Sequence, residues 1–297
     1  MAITVVIPVY NQAYPLSLTL SAFTRQVNVS AQLHVVVVDD GSAEPISAVV
    51  EAYRSRLNLT YVRLPRVGRA AARNAGARWA KNGIIVFNDA DRMPRPDFLA
   101  AHIRAHNRSE EAIVVGQVRE MYIRDPEQNR GRIMDALSRE ALDRVPQYCR
   151  LVYSLYDEGG ATGSPIAWVS TLSGNLSLPI ELFWRLQGFD ERFEEWGFEH
   201  MELGYRASQA GVRFRYQKQA VNVHLAHSRG GSYETYMRRS HAVFYAKHPS
   251  QEVRLFLDFM LGEASLRDLE HFAAETGPAA CTVTASDGYV KITNFRR

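Results

Sequence analysis

The chain has 297 residues, of which 46% are apolar, and its formal net charge is +3. These values are typical of one large globular domain with a sizeable core and an added tail. The small charge gives no support for nucleic-acid binding, and two isolated cysteines imply no disulfide framework or cysteine metal site. No apolar run reaches the about 18 residues of a membrane span, and no leader precedes the first strand, so we expect a cytoplasmic protein.

The first third of the sequence alternates apolar strands with helices. Residues 3–9, 33–42 and 83–91 contain continuous β-branched runs, as in strands that are buried on both faces of a parallel sheet. Helical spacing at 14–26 and an alanine-rich segment at 68–82 separate these runs. The alternation predicts an α/β fold with a Rossmann-like, mostly parallel central sheet flanked by helices.

The remaining sequence is less regular. We predict a strand at 111–123, and a strand, a glycine turn and a second strand at 167–179. From about residue 233 the pattern becomes helical, and it closes on a hairpin turn at Asp287-Gly288. The last part of the chain is therefore predicted to be a helical extension that ends in a short hairpin.

Acidic side chains end two of the predicted strands. Asp39 and Asp40 follow one strand, and Asp89 and Asp91 follow another. Ligands of doubly wound sheets bind beyond the carboxyl ends of the strands, so these acids fall on one functional edge. Carboxylates two residues apart in a turn can hold a divalent cation, which can bind a diphosphate. The alternative is a pair of acids that cap a loop.

Other polar and aromatic residues surround this edge. Pro8 and Tyr10 end the first strand, where an aromatic ring can stack on a base. Arg69 and Arg73 lie one turn apart on the helix that begins near Gly68, and both could face a diphosphate. A solvated helix face is the alternative for the two arginines.

The segment 194–206, with the sequence EEWGFEHMELGYR, places a histidine between two glutamates at the start of a predicted helix. Glu202 and Arg206 form an i,i+4 pair of favourable orientation, which indicates a structural role. Glu199 and His200 lie in the first turn, where the helix dipole favours a carboxylate and disfavours an imidazolium. A neutral imidazole at this position can accept a proton.

Seven segments of the sequence resemble family 2 glycosyltransferases of the GT-A fold in their order and spacing. They are VVIPVYN, VVVVDDGS, GRAAARNAG, VFNDADRMPRPDFL, LSGNLSLP…GFDERF, EEWGFEHMELGYR and HLAHSRG. The second half is similar to the region shared by β-1,4-galactosyltransferases and polypeptide N-acetylgalactosaminyltransferases. The resemblance implies a GT-A domain at 1–232, with a nucleotide-binding half at 1–115, an acceptor-binding half at 116–232 and the helical extension at 233–297.

The resemblance also implies a nucleotide-sugar donor, usually a UDP-sugar, and Mn²⁺ or Mg²⁺. The positions that it assigns to the donor are Pro8, Tyr10, Asp40, Gly68, Arg69, Arg73, Asp89 and Asp91. Asp89 and Asp91 would be the metal-binding D-x-D pair, and His227 would complete the metal site. His224 is the alternative ligand. Strand residues three apart face opposite ways, so we expect only one histidine to bind metal and His224 to be packed.

The catalytic assignment stays open at this point. Relatives that invert the sugar configuration commonly carry W-G-x-E-D with Asp as the base, whereas this sequence has His200 in that place. Either His200 is the base, or Glu199 is the base and His200 shapes the acceptor site, or the enzyme retains the configuration. We take metal-dependent transfer with inversion as the main hypothesis and a sugar-nucleotide-binding module as a further alternative. The candidate acceptor contacts are Asn175, Trp196 and Glu199.

The resemblance leaves the acceptor undefined. A glycan, a peptide or a small molecule would each be compatible with it. The helical extension mixes aromatic and basic residues, so it could form a homodimer contact, dock on a membrane surface or simply pack on the domain.

Overall fold

The structure is a computed structural model that describes residues 2–107, 111–194, 197–227 and 233–276. The predicted C-terminal hairpin and Trp196 lie outside the described residues. The strands are β1 (Ala2–Val9), β2 (Gln32–Asp40), β3 (Leu59–Leu64), β4 (Ile84–Asn88), β5 (Arg92–Pro94), β6 (Ala112–Met121), β7 (Asp143–Arg144), β8 (Asn175–Pro179) and β9 (Arg213–Leu225). The helices are α1 (Ala13–Phe23), α2 (Ile46–Glu51), α3 (Arg69–Ala77), α4 (Phe98–Asn107), α5 (Arg130–Ser138), α6 (Gln147–Tyr153), α7 (Ile180–Arg185), α8 (Glu199–Gln209), α9 (Tyr233–Lys247), α10 (Gln251–Leu261) and α11 (Leu266–Thr276).

The described strands form one sheet in the order β3-β2-β1-β4-β8-β6-β9-β5, with β7 paired to β6. The first four strands are parallel, as predicted. The second half is mixed, because β8 runs antiparallel to both β4 and β6, while β9 runs parallel to β6. The carboxyl ends of β1, β2, β4, β6 and β9 therefore lie along the same edge of the sheet. We call this edge the carboxyl rim.

Both faces of the sheet are covered by helices, which explains the continuous apolar strands. Along β2, Val36 and Val38 pack into the cluster that contains α3 and α8. Val35 and Val37, on the opposite face, pack into the cluster that contains α1 and α4. A strand with two buried faces cannot alternate polar and apolar residues, so its sequence is apolar throughout.

The C-terminal helices share the core of the domain. Trp168 is fully buried, and its indole ring is contacted edge-on by Tyr205 of α8, Phe244 of α9 and Phe256 of α10. The predicted strand around Trp168 is wrong: Ala167–Ser170 is a 3₁₀ turn that directs the indole into these helices. The extension therefore packs on the domain over its described residues. No helix in the described ranges is both long and apolar enough for a membrane crossing.

A buried ionic network holds α8 to α9. The Glu202 carboxylate is fully buried and accepts hydrogen bonds from Arg206 and His248, the latter at 2.8 Å. The Lys247 ammonium lies 2.8 Å from Glu202 and 2.7 Å from Asp190. This network confirms the structural role predicted for Glu202, and it fixes the helix whose first turn carries Glu199.

A chain of buried hydrogen bonds joins α4 to β8 in the middle of the sheet. His102 Nε2 lies 3.1 Å from Asn175 Oδ1, and His102 Nδ1 lies 2.8 Å from Ser177 Oγ. Because an amide oxygen only accepts, His102 carries its proton on Nε2 and its Nδ1 accepts from the Ser177 hydroxyl. That hydroxyl oxygen in turn accepts from His106 Nε2, at 2.8 Å. Burial, reinforced by the charge of His106, lowers the pKa of His102 to about 3, and burial lowers that of His106 to about 4.

These two histidines predict a loss of stability in mild acid. Both pKa values lie below the ordinary value of 6.5, so the unfolded chain takes up protons first as the pH falls. The contribution of the two neutral histidines to the free energy of unfolding should be complete above about pH 6.5 and should decrease from there toward pH 4. Urea unfolding of a double His102→Gln, His106→Gln variant should show a shallower pH slope in this window. The exposed His271→Gln control should keep the original slope, and an unchanged slope in the double variant would contradict the assignment.

Candidate active site

Three potential metal ligands converge at the carboxyl rim. His224 Nε2 lies 3.4 Å and His227 Nε2 lies 3.6 Å from Asp91 Oδ2, and the ligand atoms of all three residues lie within 4.8 Å of one another. Both histidines therefore lie beside Asp91, and the strand-alternation argument that predicted a single metal-binding histidine does not hold here. β9 ends at Leu225, so His227 lies beyond the strand, where the alternation of strand side chains no longer applies.

Pairing of β5 with β9 brings these residues together. Arg92, the first residue of β5, is in register with His224, and the Leu225 N–H donates to the backbone oxygen of Asp91 at 2.9 Å. Gln12 Nε2 donates to Asp91 Oδ2 at 3.0 Å. Burial alone would raise the pKa of Asp91, but its hydrogen bonds with the two histidines and the charges of His224 and Arg92 outweigh burial and hold the pKa well below its usual range.

Asp89 lies in a different environment from Asp91. Arg73 Nη2 donates to Asp89 Oδ1 at 2.8 Å, and Arg92 Nε donates to Asp89 Oδ2 at 3.0 Å. Both carboxylate oxygens thus contact guanidinium groups, and Asp89 is absent from the cluster around Asp91. The structure does not support the prediction of Asp89 as a metal ligand beside Asp91. Gly174 permits this arrangement, since a Cβ there would lie 2.2 Å from Arg92 Nε and 2.4 Å from Asp89 Oδ2.

Arg73 links the end of β4 to the start of α8. Its side chain is 3% exposed, and its Nη1 donates to Glu199 Oε1 at 2.8 Å while its Nη2 binds Asp89. Both terminal nitrogens of Arg73 are held by carboxylates inside the protein. The structure therefore does not support the predicted contact of Arg73 with a diphosphate. Burial would raise the pKa of Glu199, but the charge and hydrogen bond of His200 and the charges of Arg73 and Arg69 lower it to about 2.

His200 follows Glu199 at the start of α8 and remains partly accessible. Its side chain is 14% exposed, and its Nδ1 lies 3.4 Å from Glu199 Oε1. Glu199 itself is fully buried. Of the two catalytic candidates, only His200 has a side chain within reach of the solvent at the rim.

The predicted nucleotide-contacting residues lie at the ends of β1 and β2. Tyr10 is 42% exposed, and the Arg66 guanidinium carbon lies 3.4 Å from its ring centroid. Asp40 accepts hydrogen bonds from the backbone N–H groups of Val67 and Gly68, at 2.7 and 3.1 Å, and from Arg66 at 2.9 Å. These bonds fix the turn before α3, where Gly68 has a φ of 92° that favours glycine.

The remaining donor candidates border this turn. Pro8 and Arg69 are both half-buried. The predicted contacts of Pro8, Tyr10, Asp40 and Gly68 with a donor stay predictions, as does that of Arg69 with a diphosphate.

Asn175 does not line the site. It is fully buried, its amide nitrogen donates to the backbone oxygens of Gln117 and Ala220, and its Oδ1 accepts from His102. The predicted acceptor contact is therefore wrong, because every polar atom of this side chain is used to join β8 to β6, β9 and α4. The Glu199 acceptor contact is likewise unsupported, since that side chain is buried against Arg73.

Sequence reasoning missed three residues at the rim. They are Arg92 and Arg66, which sequence reasoning does not select, and His224, which it gives only as the alternative ligand. The position of Arg92 directly after the D-x-D pair, and the His-x-x-His spacing of 224 and 227, are the signals that could have indicated two of them.

Comparison with known proteins identifies the family of this chain. A sequence model described as glycosyl transferase family 2 matches residues 4–159, more than half of the chain. The chain belongs to glycosyl transferase family 2. A second model, described as the N-terminal domain of galactosyltransferase, matches residues 161–228, so the predicted resemblance of both halves is confirmed.

Individual relatives agree with this family assignment. Validoxylamine A glucosyltransferase of Streptomyces hygroscopicus subsp. jinggangensis is 32% identical over 271 residues, covering 86% of this chain and 63% of the relative. This family 2 chain thus spans less than two thirds of that relative's length. Among solved structures, S. aureus TarS 1–349 aligns with a TM-score of 0.60 at 19% identity, over 89% of this chain and 70% of that one. Mannosyltransferase PcManGT of Pyrobaculum calidifontis aligns with a TM-score of 0.57 at 22% identity, over 82% and 63%. The predicted GT-A fold is confirmed.

Removal of the Arg73 charge should destabilise the fold. In Arg73→Met, Glu199 becomes a buried charge without its cation, which should lower the free energy of unfolding by about 3–5 kcal/mol. Urea unfolding at pH 7 measures the loss. Arg69→Met, one turn earlier on the same helix and half-buried, is the matched control and should change stability by about 0.5 kcal/mol or less. Equal losses in the two variants would contradict the bridging role of Arg73.

Proposed function

We propose that the chain transfers a sugar from a UDP-sugar to a hydroxyl group of an acceptor, with inversion at the anomeric carbon. The observation that carries this proposal is the convergence of Asp91, His224 and His227 at the carboxyl rim. Similar structures support it by what they bind: TarS 1–349 has been solved with UDP-GlcNAc and with UDP, and GalNAc-T7 with UDP, GalNAc and Mn²⁺. PcManGT has been solved with GDP-Man and Mn²⁺.

The three converging residues fit a divalent cation. One carboxylate and two imidazoles form a ligand set that Mn²⁺ accepts, although such a set is not selective among divalent metals. The Asp91 oxygen and the histidine nitrogens are separated by 3.4 and 3.6 Å, as ligand atoms around one ion would be. We therefore assign Asp91, His224 and His227 to the metal. When bound, Mn²⁺ or Mg²⁺ would stabilise the negative charge that develops on the leaving diphosphate.

The nucleotide would lie along the first strands of the rim. Tyr10 offers an aromatic face at the end of β1, beside Asp40 at the end of β2. The sheet order places β4 next to β1, so a donor that begins at Tyr10 would bring its diphosphate toward Asp91. This path supports the assignment of the ends of β1 and β2 to the nucleotide.

We assign the catalytic base to His200. Inversion requires a group that removes the proton of the acceptor hydroxyl as its oxygen attacks the anomeric carbon. Glu199 is a poor choice, since it is fully buried, paired with Arg73 and has a pKa of about 2. Glu199 Oε1 instead lies 3.4 Å from Nδ1 of His200, where its charge would favour a proton on Nδ1 and leave Nε2 to accept the proton of the acceptor. His200 is therefore the catalytic residue, and Glu199 and Arg73 are positioning residues.

Loss of a metal ligand should weaken Mn²⁺ binding. Isothermal titration of MnCl₂ in the presence of UDP should show at least an about tenfold higher Kd for Asp91→Asn, His224→Ala and His227→Ala, because each removes one of three protein ligands. The exposed His271→Ala is the control and should bind Mn²⁺ as the native chain does. An unchanged Kd in Asp91→Asn would contradict the metal site.

Loss of the base should slow transfer without affecting the donor. His200→Ala should lower acceptor-dependent turnover by about 10²–10⁴-fold and leave the Kd for UDP and Mn²⁺ unchanged. Glu199→Gln should also slow turnover, since it removes the charge that faces His200 Nδ1. NMR of the anomeric proton identifies the product configuration. Full turnover in His200→Ala would remove this residue from the base role, and a retained configuration would contradict inversion.

A further inference from the structure

The two most exposed large apolar side chains in the described ranges are close together at the carboxyl rim. Tyr122 is 59% exposed and Leu142 is 56% exposed. β6 and β7 pair antiparallel, with Met121 opposite Asp143 at the end of the ladder. Tyr122 directly follows Met121 and Leu142 directly precedes Asp143, so the two residues adjoin the same pair. Apolar side chains that are exposed singly need no explanation, but a neighbouring pair beside a candidate active site indicates a binding surface.

Tyr122 faces the same side of the sheet as the metal ligands. Val118 and Glu120 are two apart on β6 and share a face. Tyr122 lies just beyond the strand, and its hydroxyl donates to Glu120 Oε2 at 2.9 Å, which places its ring beside Glu120. Val118 belongs to the apolar cluster that contains Phe198, the residue before Glu199. In the β6–β9 register Glu120 is paired with His224, and paired residues of neighbouring strands also share a face. The exposed ring therefore lies on the side of the sheet that carries both His224 and α8.

Hydrogen bonds anchor the turn that carries Leu142. The buried carboxylate of Asp143 accepts hydrogen bonds from Arg95 Nη2, at 2.9 Å, and from Arg119 Nε. The chain before β7 keeps left-handed backbone angles at Glu140, with a φ of 55°, and at Leu142, with a φ of 61°. Each such residue costs about 1–2 kcal/mol relative to a right-handed one. The two arginines thus anchor a strained turn in one position beside β6.

Two charged side chains contact Tyr122, one at its hydroxyl group and one at its ring face. Its hydroxyl donates to Glu120 Oε2 at 2.9 Å, and the Arg144 guanidinium carbon lies 4.9 Å from the ring centroid. These contacts restrict the exposed side chain before a ligand binds. Binding therefore costs less side-chain conformational entropy. One carboxylate and one guanidinium flank the ring, so their formal charges cancel.

We propose that Tyr122, Glu120 and Arg144 form the acceptor subsite, and that its ligand is an uncharged polyhydroxylated ring, a sugar or a cyclitol. The apolar face of such a ring would stack on Tyr122, while its hydroxyl groups would donate to Glu120 and accept from Arg144. The sheet order places β6 on the opposite side of β4 from β1 and β2. β6 also pairs with β9 through Glu120 and His224, so the subsite lies beside the metal ligands and apart from the nucleotide position. This assignment rests on the proposed function.

Ligand-observed NMR tests the subsite without turnover. Saturation transfer is measured to methyl β-D-glucopyranoside, myo-inositol and sodium glucuronate, with UDP and diamagnetic Mg²⁺ present. The native chain and Tyr122→Phe, which keeps the ring, should bind at least one uncharged probe. Tyr122→Ala should bind the same probe about tenfold more weakly. Trp79→Ala is the matched control, because Trp79 is an exposed aromatic residue just beyond the far end of α3.

The outcomes separate the subsite from the proposed function. Binding of a glucoside without inositol, or the reverse, identifies a sugar or a cyclitol as the ligand. Binding of glucuronate alone, no binding of either uncharged ring to the native chain, or equal binding by Tyr122→Ala would each overturn the subsite. Failure of the native chain to bind UDP and Mg²⁺ would overturn the proposed function, while ring binding that depends on Tyr122 would still support the subsite.

Kinetics provide a second readout. A thermal-shift screen of UDP-sugars first identifies the donor that stabilises the chain most. With this donor, Tyr122→Ala should raise the acceptor KM by about tenfold. Release of UDP in the absence of acceptor should stay at the native rate, because the subsite does not contact the donor. If Tyr122→Ala lowers UDP release without acceptor as much as it lowers transfer, Tyr122 contacts the donor and the acceptor assignment is overturned.

Discussion

The contact of Arg73 with two carboxylates from distant parts of the chain organises this site. Asp89 follows β4 and Glu199 begins α8, and one buried guanidinium holds both. A buried charge is tolerated only when it is paired and hydrogen-bonded, so the buried Arg73 and Glu199 require each other, and Asp89 completes the pairing of the guanidinium. This requirement fixes the distance between the rim and the helix that carries His200.

The strand order then determines which residues meet at the rim. β8 lies between β4 and β6 and runs antiparallel to both. β6 and β9 therefore run in the same direction as β1, β2 and β4, and their carboxyl ends lie at the same edge. Asp91, His224 and Tyr122 thus come to one edge from three separate segments. The buried chain from Asn175 through Ser177 to His106 holds β8 in this central position, which ties the interior polar residues to the geometry of the site.

The C-terminal helices contribute to the site although they supply none of its proposed ligands. They enclose Trp168 and anchor α8 through the contact between Lys247 and Glu202. Truncation before α9 would expose the buried Glu202 carboxylate and free the helix that positions Glu199. The extension therefore acts as structural support for the first turn of α8.

The sequence by itself determined the alternation of strands and helices, the acidic strand ends and the motif at the start of α8. Continuous β-branched runs and short-range spacing encode these features locally. Only the tertiary structure decided that Asp91 joins two histidines while Asp89 joins two arginines, that Asn175 is buried, and that Tyr122 is exposed at the rim. These outcomes depend on side-chain directions beyond strand ends and on pairings such as β6 with β9, between residues about 100 positions apart. Local periodicity carries no information about either.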